Sequence, residues 1–80
     1  MYPVEFLELD LEERRCYIRQ HGTELASCLT SFGELQNYVF YAVDDFFVEE
    51  IYDMNLQCLI EINIISEKEV YDKYVEKSLL

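Results

Sequence analysis

The chain contains few of the residues that interrupt regular structure, with 2 glycines and 1 proline among 80 residues. It has no tryptophan, and no apolar run approaches the ~20 residues needed to span a bilayer. Hydrophobic residues make up 51% of the chain, which favours a folded core over disorder. Because two cores do not fit in so short a chain, we expect residues 1–80 to form one small domain.

Cations are also scarce, and none occurs between Arg19 and Lys68. The formal net charge is -11, so the middle of the chain carries a negative field with little local compensation. This field disfavours direct binding to nucleic acid or to an anionic membrane surface. The N-terminal stretch MYPVEFLELD is acidic where a secretory signal would be basic, so we expect a cytoplasmic protein.

Cysteine and histidine residues offer little chemistry. The three cysteines Cys16, Cys28 and Cys58 make no disulfide framework, and we expect them to be mostly buried in a reducing compartment. Together with His21 they could in principle form a zinc site, but the chain lacks the close CxxC pair that most structural zinc sites use. We therefore favour cysteines that pack in the core. A Cys28 nucleophile with His21 as base is a remote enzymatic alternative. No Ser-His-Asp order, phosphate loop or HExxH motif occurs, so we expect neither an enzyme nor a cofactor.

The stretch LQNYVFYAVDDFFVEEIYD predicts a β-hairpin with strands over residues 35–43 and 46–53 and a turn at Asp44-Asp45. A two-residue turn would pair Val43 with Phe46 and Val39 with Glu50 on one face of the sheet. Phe40 and Glu49 would then pair on the other. Aromatic or branched residues and a glutamate thus lie on both faces, so both need cover. Asp-Asp is not a favoured type I′ pair, so a longer loop or a bulge could shift the register.

The remaining segments predict two helices and two further strands. A helix is expected over 11–21, where Asp10 and Glu13 resemble a capping box and Gly22 suits a left-handed stop. Strands are expected over 24–32, ended by a turn at Gly33, and over 57–65. Residues 1–9 fit a strand or a helix about equally.

The last predicted strand shows the cleanest alternation in the chain. It places Cys58, Ile60, Ile62 and Ile64 on one face and Leu59, Glu61, Asn63 and Ile65 on the other. Ser66 and Glu69 then form a capping box for a C-terminal helix. The apolar stripe of that helix contains Val70, Tyr71, Tyr74, Val75 and Leu79. The predicted fold is α+β, a four-stranded antiparallel meander sheet flanked by an N-terminal and a C-terminal helix.

This fold suggests a mode of contact. The two helices could share one face of the sheet, or each could cover a face of its own. If both cover one face, the other stays apolar, and a second copy of the chain is its simplest partner. We therefore expect a homodimer. The acidic residues near the hairpin either keep the sheet rim soluble or form a docking surface for a basic protein. Calcium would need a converging loop with a glycine at its bend, and none is seen.

The leading hypothesis is a small acidic interaction module with an anionic, tyrosine-rich surface for a protein partner. The alternative is a nucleic-acid mimic that occupies the basic groove of a DNA- or RNA-binding protein. The candidate residues, called here the hairpin surface, are Tyr38, Phe40, Asp44, Asp45, Phe47, Glu49, Ile51 and Asp53.

Several of these motifs resemble those of a group of short bacterial α+β proteins. The likeness covers about residues 10 to 65 and rests on His21-Gly22-Thr23, Val39-Phe40-Tyr41, Phe46-Phe47-Val48-Glu49 and the isoleucine-rich last strand. It implies a small α+β domain and no particular activity. The chain departs from the pattern at Glu50, where an apolar residue is usual, and at Asp45, where the turn usually has glycine.

Overall fold

The structure is a computed structural model that describes residues 1–30 and 35–72. Its elements are α1 (Pro3–Leu7), α2 (Leu11–His21), β1 (Gly22–Thr30), β2 (Gln36–Val43), β3 (Phe46–Asp53), β4 (Cys58–Ile65) and α3 (Glu67–Val70). The strands form one antiparallel sheet in the order β1-β2-β3-β4, which confirms the predicted α+β meander. The predicted turn at Gly33 and the stripe residues Tyr74, Val75 and Leu79 lie outside the described residues.

The β2–β3 hairpin has the predicted register. Val43 faces Phe46, Val39 faces Glu50 and Phe40 faces Glu49, so Asp44 and Asp45 form a two-residue turn. Asp44 adopts φ 51, a left-handed conformation that aspartate tolerates better than most residues. The turn therefore forms without glycine and without a bulge.

Helix α2 begins where its capping box predicts, but it ends differently. The Asp10 side chain accepts from the Glu13 N–H, and Glu13 accepts from the Asp10 N–H. Gly22 is not left-handed: its φ of -90 and ψ of 153 are extended, and β1 starts directly at this residue. A Cβ at Gly22 would lie 2.6 Å from the carbonyl oxygen of Ile18, so glycine is required here for close approach.

Two bulges change which residues face the core. Leu25 has no partner in β2, and in β4 the pairing passes from Glu61 to Leu59 without Ile60. The expected alternation of β4 therefore holds from Glu61 to Ile65 and is wrong for Cys58 and Leu59, which precede the bulge. Leu59, not Ile60, packs against the core, because one extra residue at Ile60 reverses the faces on that side of the bulge.

The core lies between one face of the sheet and the helices α1 and α2. Its buried members are Phe6, Ile18, Val43, Phe46, Val48 and Ile62. The sequence of residues 1–9 fits a strand and a helix about equally. The structure has the short helix α1 there, and Phe6 anchors it. The Phe6 ring meets Phe46 edge-on, with ring centroids 5.5 Å apart.

The second face of the sheet is buried at its centre within a single chain. Phe40 is 5% exposed and Glu49 is 2% exposed. The expectation of self-association assumed an apolar face left open to water, and these residues are not open to water. The homodimer therefore stays a prediction, and an open apolar sheet face no longer supports it.

Candidate interaction surface

The hairpin surface does not form one exposed patch. Asp44 and Asp45 are exposed, whereas Phe40, Glu49 and Asp53 are buried. The other members are half-buried: Tyr38, Phe47 and Ile51. Asp53 has a structural role, because its Oδ1 accepts from the backbone N–H groups of Asn55 and Leu56 at 2.9 Å and so closes the β3–β4 turn.

Asp44 connects the hairpin turn to the helical layer. Its carboxylate accepts a hydrogen bond from the Tyr17 hydroxyl and lies 3.0 Å from the amino group of Met1. The hydrogen bond from Tyr17 and the Met1 ammonium lower the pKa of Asp44. The same hydrogen bond, together with the negative charge of Asp44, raises the pKa of Tyr17.

The end of the molecule around this turn carries most of the exposed carboxylates. Ile65 pairs with Phe47, so β4 ends and α3 begins beside the turn, and the Met1–Asp44 contact brings the chain start there as well. This anionic surface comprises Glu5, Glu8, Asp10, Glu12, Glu13, Asp44, Asp45, Glu67 and Glu69. The exposed carboxylates elsewhere in the described chain are Glu24, Glu61 and Asp72.

Some of these carboxylates also cap helices. Glu5, Asp10 and Glu13 accept from backbone N–H groups at the starts of α1 and α2, and Glu69 does so for α3. Glu8 and Glu12 make no such side-chain bond to the described residues. Their charge can therefore be removed without the loss of a helix cap.

A row of exposed apolar side chains runs along the outer side of α1. Tyr2, Val4 and Leu7 are 76%, 68% and 54% exposed, and we call these three residues the apolar ridge. Val4 and Leu7 are three residues apart on one helix face, opposite Phe6. The sequence analysis did not single out this ridge, because residues 1–9 fit a strand as well as a helix. A helical interpretation would have revealed it.

An open groove with a volume of about 420 Å³ is lined by Met1 and by residues between 9 and 20, which flank the ridge in sequence. Apolar atoms of Met1, Leu9 and Tyr17 contribute to its lining, and its acidic lining comes from Asp10, Glu12 and Glu13. No lysine or arginine of the described chain lines it. Arg14, the nearest arginine in sequence, points inward and donates to the backbone oxygens of Leu7, Leu9 and Ile62.

A second polar cluster lies under α2. The side chain of Glu50 is only 3% exposed on the core face, close to Tyr41 and Tyr52. Burial, then the negative charge of Glu50, raises the pKa of Tyr41 to about 12, and both also raise the pKa of Tyr52. The positive charge of Arg19 lowers the pKa of both tyrosines and so opposes this effect. The guanidinium of Arg15 lies 5.7 Å from the centre of the Tyr52 ring, and its Nε is buried without a hydrogen-bond partner.

This cluster has a structural explanation. A glutamate buried at this depth needs nearby positive charge, and Arg15 and Arg19 supply it from the helix above. We therefore interpret the arginines as charge compensation for Glu50 and not as a ligand site.

The cysteines do not occupy the core as expected. Cys16 and Cys58 are exposed, and Cys28 is partly buried. Cys16 lies on the solvent side of α2, and the β4 bulge places Cys58 opposite Asp53, away from the core face. His21 stacks on Tyr17 with ring centroids 4.4 Å apart at the end of α2.

His21 and Cys28 lie at opposite ends of β1. Six residues of extended strand from Gly22 to Cys28 span roughly 20 Å, which exceeds hydrogen-bond reach. Among residues 1–30 and 35–72, no group of three or more histidine, cysteine or acidic side chains could hold a metal ion.

No family model, curated protein or solved structure matches this chain. Within the part of the chain that the structure describes, no helix is long and apolar enough to cross a membrane. The functional argument therefore rests on the chemistry of the surface.

Proposed function

We propose that this protein is a small acidic interaction module that presents its anionic surface to a basic protein partner. One observation carries the proposal: nine exposed carboxylates belong to residues 5–13, the β2–β3 turn and α3. The Met1–Asp44 contact joins the start of the chain to the turn, and α3 follows the end of β4 beside it. A concentrated field of one sign steers an oppositely charged partner and suppresses wrong ones. Exposed tyrosines, Tyr2 and Tyr71, belong to the same segments and suit an interface.

Local cations do little to neutralise this surface. The guanidinium of Arg14 is engaged by three backbone oxygens, and Arg15 and Arg19 lie close to Tyr52, which also interacts with buried Glu50. The Met1 ammonium pairs with Asp44, and Lys68, exposed in α3, is the remaining cationic side chain in the described residues. A basic partner therefore meets carboxylates that are largely free of intramolecular ion pairs.

The test uses the full chain and a labelled peptide of about 18 residues, five helical turns long, built from leucine and lysine with all leucines on one face. We call it the patterned peptide. Its binding, measured by fluorescence anisotropy, should weaken steeply between about 50 and about 300 mM salt. Glu8→Gln and Glu12→Gln should each weaken binding roughly two- to threefold, the range of a single exposed ion pair.

The matched control is Glu61→Gln, which removes one exposed charge from β4 where it pairs with Ile51, farther along the hairpin from the β2–β3 turn. It should change the affinity by less than half as much as either of the other variants. Binding that is insensitive to salt, or that responds equally to all three substitutions, would rule out the anionic surface as the contact.

A nucleic-acid mimic is the second candidate function, because the carboxylates gather on one surface instead of spreading evenly. Such a protein would bind its target by charge alone and would be displaced by a DNA duplex in competition. A competition assay separates the two candidates: the unmodified chain, or a variant with the apolar ridge replaced by serine, competes with a DNA duplex for a generic basic DNA-binding domain. Equal binding by the unmodified chain and the serine variant favours the mimic.

We propose the homodimer separately, and an exposed edge of the sheet supports it instead of an exposed face. β1 is an outer strand whose Leu25 and Leu29 are exposed, and Glu24 is its one charged residue. Pairing of β1 with β1 of a second copy would extend the sheet. Sedimentation should then show a dimer at high micromolar concentration that Leu29→Lys abolishes, whereas a monomer at that concentration refutes it.

A further inference from the structure

We propose that the apolar ridge of α1 and the nearby groove form the docking site for a basic amphipathic helix of a partner protein. This inference rests on the proposed function and names the class of partner that the anionic surface receives. It commits to helix-in-groove recognition, in which apolar anchors give affinity and charges at the rim give orientation.

Helix α1 exposes more apolar side chain than it buries. This helix buries Phe6 and leaves Val4 and Leu7 more than half exposed, with Tyr2 exposed at its start. Surface apolar residues scattered singly need no explanation, but three within six residues along one short element form a contiguous patch. A patch of this kind, bordered by charged residues, is typical of an interaction site.

The ridge is also held in place. An isolated helix of five residues is unstable in water, so α1 depends on its tertiary contacts. Phe6 packs edge-on against Phe46, and Arg14 donates to the carbonyl oxygen of Leu7 at 2.9 Å. A ridge fixed in this way loses little entropy when a partner binds, which favours affinity.

The negative charge around the ridge also favours a basic partner. Glu5 lies between two ridge residues, and Glu8 and Glu12 follow the ridge in sequence. The nearby groove has three acidic residues in its lining and no described cation. A partner segment that buries apolar side chains here must also carry positive charge to offset these carboxylates. An amphipathic helix with leucine-like anchors flanked by lysine or arginine meets both requirements.

The same charge argues against the other occupants. A second copy of the chain, with a formal net charge of -11, would bring like-charged rims together. An anionic lipid surface and a nucleic acid are repelled for the same reason. A basic helix is therefore the occupant that the surface selects.

The test compares the patterned peptide with a scrambled peptide of identical composition whose leucines are spread around the helix. The full chain should bind the patterned peptide at least about tenfold more tightly, because only that peptide presents one apolar face to the ridge. The double variant Val4→Ser/Leu7→Ser should lose about tenfold in affinity for the patterned peptide. It should bind the scrambled peptide as the unmodified protein does.

A matched control removes the same number of exposed apolar side chains elsewhere. Met54 and Leu56 are 43% and 73% exposed and lie in the β3–β4 turn, at the end of the sheet away from the β2–β3 turn. Met54→Ser/Leu56→Ser should leave both affinities within twofold of the unmodified protein. Circular dichroism confirms that each variant is folded, and the high exposure of all four side chains favours that outcome.

The outcomes separate the two proposals. If patterned and scrambled peptides bind equally and with strong salt dependence, the ridge has no role and only the proposed function stands. If neither cationic peptide binds at low salt, the proposed function fails and the docking site fails with it. If Met54→Ser/Leu56→Ser weakens binding as much as Val4→Ser/Leu7→Ser, the apolar contact lies elsewhere and the inference is overturned.

Discussion

The guanidinium of Arg14 donates to the carbonyl oxygen of Ile62 at 2.8 Å and so connects α2 to the outer edge of β4. The same side chain donates to the backbone oxygens of Leu9 at 3.0 Å and Leu7 at 2.9 Å, behind α1. A single planar fork thus satisfies three carbonyl groups from two segments of the chain. It also occupies an acceptor on an edge strand that could otherwise pair with another chain.

Replacing Arg14 should therefore destabilise the domain more than the loss of a typical surface cation. We expect Arg14→Lys to lower the free energy of unfolding by about 2–3 kcal/mol, because an ammonium cannot reach three carbonyl oxygens at once. Urea denaturation followed by circular dichroism measures the effect. As a control, Arg19→Lys should cost no more than about 0.5 kcal/mol, since Arg19 is exposed. Equal costs at the two positions would contradict this role of Arg14.

Gly22 provides a test of the junction between α2 and β1. Gly22→Ala places a methyl group 2.6 Å from the carbonyl oxygen of Ile18, and that oxygen belongs to rigid helical backbone. We expect a loss of about 1–3 kcal/mol in the free energy of unfolding, the range for overpacking at a site that cannot relax. Ser27→Ala, at an exposed position of the same strand, is the control and should be nearly neutral. A Gly22→Ala variant as stable as the unmodified chain would show that α2 can shift freely.

The buried environment around Glu50 predicts sensitivity to alkaline pH. The pKa of Tyr41 is raised to about 12, and those of Tyr17 and Tyr52 are raised as well. Because the folded state holds these protons more tightly, their contribution to stability is complete below the unfolded pKa of about 10. It is then lost as the pH rises toward 12. Urea denaturation at several pH values should show the free energy of unfolding falling across that range.

Absorbance titration assigns this effect to the cluster. Glu50→Gln removes the like charge beside Tyr41, so the highest tyrosine pKa should move down toward 10. Glu24→Gln should lower it less, because Glu24 is the smaller of the two carboxylate contributions. Unchanged titration of Glu50→Gln would mean that Glu50 does not act on Tyr41.

Asp44 should respond to the loss of one hydroxyl group. Because the Tyr17 hydrogen bond is the largest cause of its lowered pKa, Tyr17→Phe should raise the pKa of Asp44 toward the ordinary 3.8. The ionised carboxylate contributes stability above the unfolded pKa, and this contribution is lost as the pH falls through the folded value. Carboxyl NMR titration measures the shift directly. Tyr2→Phe serves as control, and an Asp44 pKa that is equal in both variants would contradict the coupling.

The sequence predicted the hairpin well because its signals are local. Two dense β-branched and aromatic runs separated by Asp44-Asp45 determine the strands, and a two-residue turn then sets every pair in register, from Val43 with Phe46 onward. The capping boxes at Asp10 and Ser66 likewise depend on residues three positions apart. Signals contained within a few residues are readable without tertiary context.

What the sequence could not predict depends on contacts between distant segments. The bulges at Leu25 and Ile60 leave no mark in the alternation pattern, yet they decide that Leu59 and not Ile60 joins the core. Glu49 and Glu50 were correctly placed on opposite faces, but nothing local indicated that both are buried. Residues such as Phe40 were therefore assigned to a surface that is covered in the folded chain.

The most direct test of the docking site is an NMR titration of the isotope-labelled full chain with the patterned peptide. We expect the largest amide shifts on residues 2–13, with smaller shifts at Asp44 and Asp45 and little change around Leu29 and Leu56. Largest shifts on the strand residues Phe47 and Ile51, or beside Arg15 and Arg19, would contradict it.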